Sequence, residues 1–186
     1  AKVLPVYKYE DKMLVSNYQP ISVLPVFSKI LEKLMYFRLE AFINKHNILS
    51  QNQFGFREKH STNMALLDII DNITQTLDSK AYSLGIFLDL SKAFDTIDHT
   101  ILLSKLENYG VRGLALNWFK SYLSNRHQSV EINTNLSLLQ PITCGVPQGS
   151  ILGPLLFIIY INDITKVSTQ MKSILFADDT NLLLIK

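Results

Sequence analysis

A chain of 186 residues that is 47% apolar and 18% charged has material for one ordinary domain, or for two small subdomains sharing a core, and its composition excludes disorder. The net charge of +2 is unevenly placed: residues 1–62 carry nine Lys/Arg against five Asp/Glu, and residues 63–186 carry nine against eleven. A basic first part beside an acidic second part fits a polyanion grip next to a metal site, and it also fits ordinary scatter. The single Cys144 excludes an internal disulfide and a cysteine metal cluster. It points to an intracellular, reducing compartment without separating nucleus from cytoplasm. The longest apolar run, Ile151 to Ile161, contains Gly153 and Pro154 and is too short to span a bilayer, so no membrane partner is expected. No long apolar stretch follows Ala1-Lys2-Val3-Leu4-Pro5, so no secretory leader is expected.

In chain order, residues 1–26 read as a loose hairpin whose turn region holds Lys8 and Lys12. A long helix is expected from about Pro25 to Asn44, with Phe27, Ile30, Leu31, Leu34, Phe37 or Arg38, Ala41 and Phe42 facing inward. Residues 45–60 are loop-like. Ser61-Thr62 offers an N-cap for a second helix to about Asp78, with Ala65, Leu66, Ile69, Ile70, Ile73 and Leu77 as its stripe. Leu84 to Leu88 reads as a short buried strand. A third helix runs from an Asp98 cap to a Gly110 stop, with Leu102, Leu103, Leu106 and Tyr109 inward. A fourth covers Leu114 to Leu123, where Trp118, Phe119 and Tyr122 at helical spacing read as core. Gln128 to Ile132 alternates as a strand, Asn133-Thr134-Asn135 is a turn, and a second strand from about Leu138 closes the hairpin. After the loop Cys144–Ser150, where Ser150 reads as a cap, comes an apolar helix from about Ile151 to Asp163. The last element is a hairpin from Ser173 to Ile185 with Asp178-Asp179 near its turn. Helices and strands mix without βαβ alternation, so the class is α+β.

The chemistry lies in the carboxylates. Asp89 stands at a strand end, where a packed core does not place an unpaired charge. If that strand neighbours the Asp178-Asp179 hairpin, three carboxylates converge at one sheet edge. Hard oxygens that share a site repel unless a cation sits between them, and Mg2+ is the usual one. Two such ions about 4 Å apart clamp the attacking and leaving oxygens of a phosphoryl transfer. His46, His60, His99 and His127 lack the spacing of a zinc site. Asp95 and Asp98 read as turn and cap residues.

Three stretches carry a resemblance: Phe87-Leu88-Asp89-Leu90-Ser91-Lys92-Ala93-Phe94-Asp95, Gly145 through Pro154, and Phe176-Ala177-Asp178-Asp179. They resemble the palm motifs of a reverse transcriptase of the non-LTR (LINE-type, jockey-like) retrotransposons. Asn17-Tyr18-Gln19-Pro20-Ile21-Ser22, Gln53-Phe54-Gly55-Phe56-Arg57 and His60-Ser61-Thr62 resemble that family's fingers motifs. The resemblance implies a right-hand polymerase with an antiparallel palm sheet packed on helices, a fingers-like part at 1–80 and the palm at 81–186. It implies RNA-directed DNA synthesis on an RNA template from a DNA primer and dNTPs, with two Mg2+ ions or Mn2+. By this resemblance Asp89 and Asp178 are catalytic metal ligands, with the backbone carbonyl of Leu90 as a further ligand. Asp179 completes the acidic cluster as a ligand or as a structural acceptor. Lys92 and Ala93 offer amides to the triphosphate. Phe94 is a wall beneath the sugar or a core residue. Gln148 and Gly149 contact nucleotide and template.

Two departures stand out. Gln19 occupies a position where the family has an arginine fork for phosphate, and Tyr9-Glu10 stands where it favours Lys-Gly. Lys8, Lys12 and Arg57 are candidate substitutes for the lost charge. The chain also ends just past the Asp178-Asp179 hairpin and does not begin with Met, which leads us to expect fingers and palm with the thumb absent. An RNA-directed DNA polymerase core and a catalytically inactive nucleic-acid-binding remnant are therefore both carried forward, with a metal-dependent nuclease behind them. The sequence sets no oligomeric state.

Overall fold

The computed structural model describes residues 1–185. The first strands, β1 (Lys2–Tyr7) and β2 (Tyr18–Val23), form the expected antiparallel hairpin. β1 also pairs in parallel with β4 (His127–Ile132), which carries two short partners, β5 (Asn135–Leu136) and β6 (Gln140–Pro141). A second, separate sheet has the order β3-β8-β7, all antiparallel, from β3 (Ser83–Asp89), β7 (Met171–Phe176) and β8 (Asp179–Ile185). Helices α1 (Val26–Lys45), α2 (Thr62–Asp78), α3 (His99–Asn108), α4 (Leu114–Leu123) and α5 (Gly153–Tyr160) complete the α+β fold. The main core lies among α1, α3, α4 and α5, where Leu102, Leu106, Phe119, Leu152, Leu156 and Phe157 are fully buried. A small second core joins Ala65 of α2 to Ile174 and Leu183 of the three-stranded sheet.

The caps follow the expected chemistry. Asp98 Oδ1 accepts from the amides of Thr100 at 2.7 Å and Ile101 at 2.9 Å, and Gly110 follows α3 at φ +100°. Ser61 Oγ accepts from Met64 N at 3.3 Å to open α2. Ser150 Oγ accepts from Gly153 N at 3.0 Å at the start of α5. That helix is shorter than expected. It ends at Tyr160 and gives way to a 3-10 turn, Asn162–Lys166, because the Asn162 side chain is drawn out to Ile48 O and Tyr109 Oη. Among the described residues no helix is long and apolar enough to cross a membrane.

The inward face of α1 differs from expectation. Phe27, Ile30, Leu31, Leu34 and Phe37 are exposed, while Glu32, Leu39 and Ile43 are buried. Glu32 is 1% exposed; its Oε2 accepts from Ile151 N at 2.7 Å and its Oε1 from Tyr122 Oη at 3.1 Å. Burial, then the neighbouring Glu32 charge, push the Tyr122 phenol well above its usual range, which keeps it a donor. Apolar periodicity scores such an acid as outward, and this polar anchor rotates the helix the other way. α2 differs in the same sense. Ala65 and Thr76 are buried, whereas Leu66, Ile70 and Leu77 are exposed, because an ion pair between Asp68 and Lys172 of β7 fixes the face turned to the sheet. β3 is not a buried strand. It is a sheet edge whose seven residues are all exposed, since an apolar run cannot distinguish an edge strand from a central one.

Replacing Glu32 with Leu is expected to lower stability by about 2–4 kcal/mol, since it orphans the half-buried Ile151 amide and Tyr122 phenol. Leu34→Ser on the exposed face should stay within about 0.5 kcal/mol of wild type. Urea unfolding of the two variants checks the pair.

Candidate active site

The register of the second sheet sets the site. β3 and β8 pair with Asp89 opposite Asp179, and β7 and β8 pair with Phe176 opposite Asp179. Two residues, Ala177 and Asp178, therefore make the hairpin turn. Ala177 carries φ +57° at the first central position, as a type II′ turn requires. Side chains on β strands alternate, so the paired Asp89 and Asp179 share one face. Both line a groove of about 370 Å³ bounded by Ala65, Leu66 and Ile69 of α2 and by Phe87, Phe176 and Asn181. Asp178 sits half-buried in the turn beside them.

Asp179 senses the other two carboxylates. Partial desolvation, then the charges of Asp178 and Asp89, raise the Asp179 carboxyl above its usual range. None of the three is in an ion pair among the described residues. Nor, among those residues, are three acidic, His or Cys side chains gathered closely enough to hold a metal ion between them. The chemistry of the donor set is nonetheless what a hard divalent cation takes: carboxylate oxygens that repel one another when left without a cation. Asp89, Asp178 and Asp179 are the residues that would hold it.

The turn is clamped from beneath by a segment the sequence placed in the fingers. Phe54 N donates to Leu175 O at 2.8 Å, and Leu175 N donates to Asn52 O at 2.8 Å. Gln53, 1% exposed, accepts at its Oε1 from both Gly55 N at 2.8 Å and Ala177 N at 3.1 Å. A Cβ on Gly55 would lie 2.1 Å from Ala177 N, so only glycine lets this backbone approach the acidic turn. Gln53 and Gly55 act on the site without having been expected to. A glycine between two phenylalanines was the available signal for a close backbone approach.

The remaining expected residues are placed as follows. Leu90 O accepts a turn hydrogen bond from Ala93 N at 3.3 Å, which occupies that amide and one lone pair of that carbonyl. Lys92 is exposed at φ +55°. Phe94 is half-buried, edge-on to Phe56 at 6.0 Å and tilted against Phe157 at 4.7 Å, so its ring is braced by the core. Gln148 is half-buried and hydrogen-bonded to Asp95 and Gln19. Gly149, at φ +102°, runs against β2, where a Cβ would meet Ser22 O at 3.2 Å. Arg57 Nη1 donates to Ser50 O at 2.8 Å and Gln53 O at 3.1 Å, and burial lowers its pKa. Its guanidinium is thus turned into its own loop. Lys8 is exposed, and the Lys12 ammonium lies 5.5 Å from the Tyr7 ring centroid.

A three-stranded antiparallel sheet with one acid at a strand end, an acid pair at the adjoining hairpin turn and a helix-packed body defines the palm and fingers architecture of a right-hand polymerase. Residues 8–185 match the family model described as reverse transcriptase (RNA-dependent DNA polymerase), and the chain belongs to that family. It is 38% identical over 171 residues to a probable RNA-directed DNA polymerase from transposon X-element of Drosophila melanogaster, covering 88% of this chain and 18% of that protein. It is 35% identical over 176 residues to the RNA-directed DNA polymerase from mobile element jockey of the same species, covering 91% and 19%. The chain thus spans less than a fifth of the length of the curated relatives it matches. Among solved structures it resembles apo telomerase from Candida tropicalis, with TM-score 0.61 and 12% identity over 98% of this chain and 41% of that one. A form of that telomerase truncated from its C-terminal domain gives TM-score 0.59 and 16% identity over 90% and 41%. Those two likenesses speak to the fold.

Gly55→Ala is expected to push the Asp178 turn out of place, costing about 1–3 kcal/mol as an overpacked contact does. Thermal unfolding reads the loss. The Asp179 shift has a defined sign. Because its folded pKa is raised, its contribution to stability falls as pH climbs from the unfolded value near 4 through the folded one. Asp179→Asn should therefore raise the melting temperature at pH 7 in chelator, and the gain should fade below about pH 4, which a pH series of melts checks.

Proposed function

We propose that this chain is the fingers-and-palm core of an RNA-directed DNA polymerase of the non-LTR retrotransposon type, extending a DNA primer on an RNA template from dNTPs. The observation that carries the reading is the paired register of Asp89 and Asp179 with Asp178 in the intervening turn. In the reaction the primer 3′-oxygen bonds to the α-phosphorus of the nucleotide, the bond to the β-phosphate oxygen breaks, and pyrophosphate leaves. Mg2+, as two ions or replaced by Mn2+, would supply charge neutralisation and oxygen activation when bound by Asp89, Asp178, Asp179 and the Leu90 carbonyl.

The chain's own residues supply position. Phe94, braced by Phe56 and Phe157, is a rigid wall for the sugar. Gln148 and Gly149 border the nucleotide at the start of the α5 segment, and Lys92 offers its amide and ammonium to the triphosphate. Fingers-like residues 1–80 and palm residues 81–186 form the functional division that keeps the carboxylate-bearing sheet whole, although β1 reaches across it to β4. An inactive nucleic-acid-binding remnant is the second reading. It is favoured by one observation: the side chains of Gln19 and Arg57 and the amide of Ala93 are all engaged within the chain.

Primer extension on an RNA template with four dNTPs and Mg2+ tests the proposal. Asp178→Asn is expected to cut the rate by about 100-fold or more, the scale of removing a main electrostatic stabiliser. Extension that survives the substitution undiminished would show that it does not arise at these carboxylates and would sink the active-site assignment. No extension from a chain that unfolds cooperatively would favour the inactive one.

A further inference from the structure

We propose that Asp95 and Gln19 are positioning residues that hold the Gln148 amide in one orientation toward the incoming nucleotide; the inference rests on the polymerase reading above. Three segments meet at Gln148. Its Nε2 donates to both carboxylate oxygens of Asp95, each at 3.0 Å, and its Oε1 accepts from Gln19 Nε2 at 3.1 Å. Its backbone carbonyl accepts from Ser22 N at 2.8 Å, so β2 is tied to the loop by main chain as well as side chain. Behind it, Val146 N donates to Phe94 O at 2.9 Å and Gly145 N to Ile97 O at 2.8 Å. His99 Nε2 lies 2.7 Å from Gly145 O. A Cβ on Gly145 would stand 2.7 Å from Asp95 O, so loop and turn are in direct backbone contact. Gln19, Asp95 and Gln148 are all half-buried.

The donor and acceptor chemistry leaves one arrangement. An ionised carboxylate only accepts, so the edge of Gln148 facing Asp95 must be its NH2 group. A 180° flip of the amide would set its oxygen against two anionic oxygens and break both bonds. Gln19, whose own amide can turn either way, takes up the complementary role and donates to the Gln148 oxygen at the other end. Both Asp95 oxygens lie at the same 3.0 Å from one nitrogen, so a single N–H shared between them leaves the second N–H of Gln148 held in a fixed direction before a nucleotide arrives, and that preorganisation is worth affinity. In this arrangement Gln19 acts through Gln148 and not as a charge on the triphosphate. An arginine there could also donate, but it would bring a cation that competes with Gln148 for Asp95. Because Asp95 directly follows Phe94, the same anchor fixes the turn that presents the aromatic wall.

The test is single-nucleotide incorporation by the full chain on a primed RNA template, with Asp178→Asn as control. Gln148→Met and Asp95→Leu are each expected to raise the nucleotide KM by about 10-fold, with kcat changed less than about 3-fold, as loss of a charge-assisted hydrogen bond would. Gln19→Met should raise KM by a smaller factor, about 3-fold, for loss of a neutral bond. Asp95→Asn, which keeps one carbonyl acceptor, should recover part of the loss. In the Gln148→Met background Asp95→Leu should change KM no further, because a residue acting through Gln148 has nothing left to act on. Additive KM effects would overturn the proposal. So would Asp95→Leu lowering kcat and melting temperature at unchanged KM, the pattern of a purely structural tie. Should Asp95→Leu fail to fold, Asp95→Asn and Gln19→Met carry the same comparison. Extension that is absent in wild type, or that survives Asp178→Asn and so does not arise at these carboxylates, means the proposed active site has failed, and this inference falls with it. Extension that depends on Asp178 while the Asp95 and Gln148 effects add means that only this inference has failed.

Discussion

The register between β3 and β8 is the constraint on which the site depends. Side chains alternate along a strand, so a slip of one residue would send Asp89 to the face opposite Asp179. The apolar pattern holds the register: Leu183 is buried against Ile174 and Ala65, and a slip would expose it. Turn geometry holds it again, since a two-residue turn with positive φ at Ala177 admits only one alignment of β7 with β8. Bringing three carboxylates together is unfavourable: desolvation first, and then the charges of Asp178 and Asp89, push the Asp179 carboxyl upward. The segment Asn52–Gly55 offsets that tension by hydrogen-bonding β7 and the turn from below.

The same logic recurs wherever two parts of the chain must be placed accurately: one polar side chain, shielded from water, reaches between them. Glu32 ties α1 to the start of the α5 segment and to α4. Gln53 ties the 52–57 loop to the acidic turn. Gln148 ties the loop before α5 to Asp95 and to β2. Apolar contacts tolerate small displacements, whereas a buried hydrogen bond is lost within a fraction of an ångström. A site built from groups on four separate segments needs anchors of the second kind.

This division explains what was legible in the sequence. Caps and stops could be read because one residue carries each: Asp98, Ser61 and Gly110 sit where their chemistry put them. The acidic hairpin could be read because two β-rich runs flank Asp178-Asp179. Helix faces could not. For α1 the apolar stripe pointed outward and a glutamate inward, and no count of hydrophobic spacing reveals a carboxylate whose partners lie 90 and 119 residues away. The partners of Gly55 and Asp95 were hidden for the same reason. Each is local in sequence and long-range in effect, Gly55 against Ala177 and Asp95 against Gln148.

The excess of lysine and arginine in the first third reads as a grip for a polyanion, yet several of the chain's cations are committed elsewhere. Lys2 pairs with Glu131, Lys105 with Asp163 and Lys172 with Asp68, while Arg57 is folded into its own loop. None of these reaches Asp89, Asp178 or Asp179. The negative field at the sheet edge is therefore left uncompensated by these side chains, and a polyanionic substrate could not approach it bare. In the polymerase reading proposed above, the cations that accompany a nucleotide triphosphate would supply the neutralisation. Gln19 fits that economy. With the acids relying on arriving cations, a neutral side chain that steadies Gln148 serves the site without adding a fixed positive charge beside Asp95.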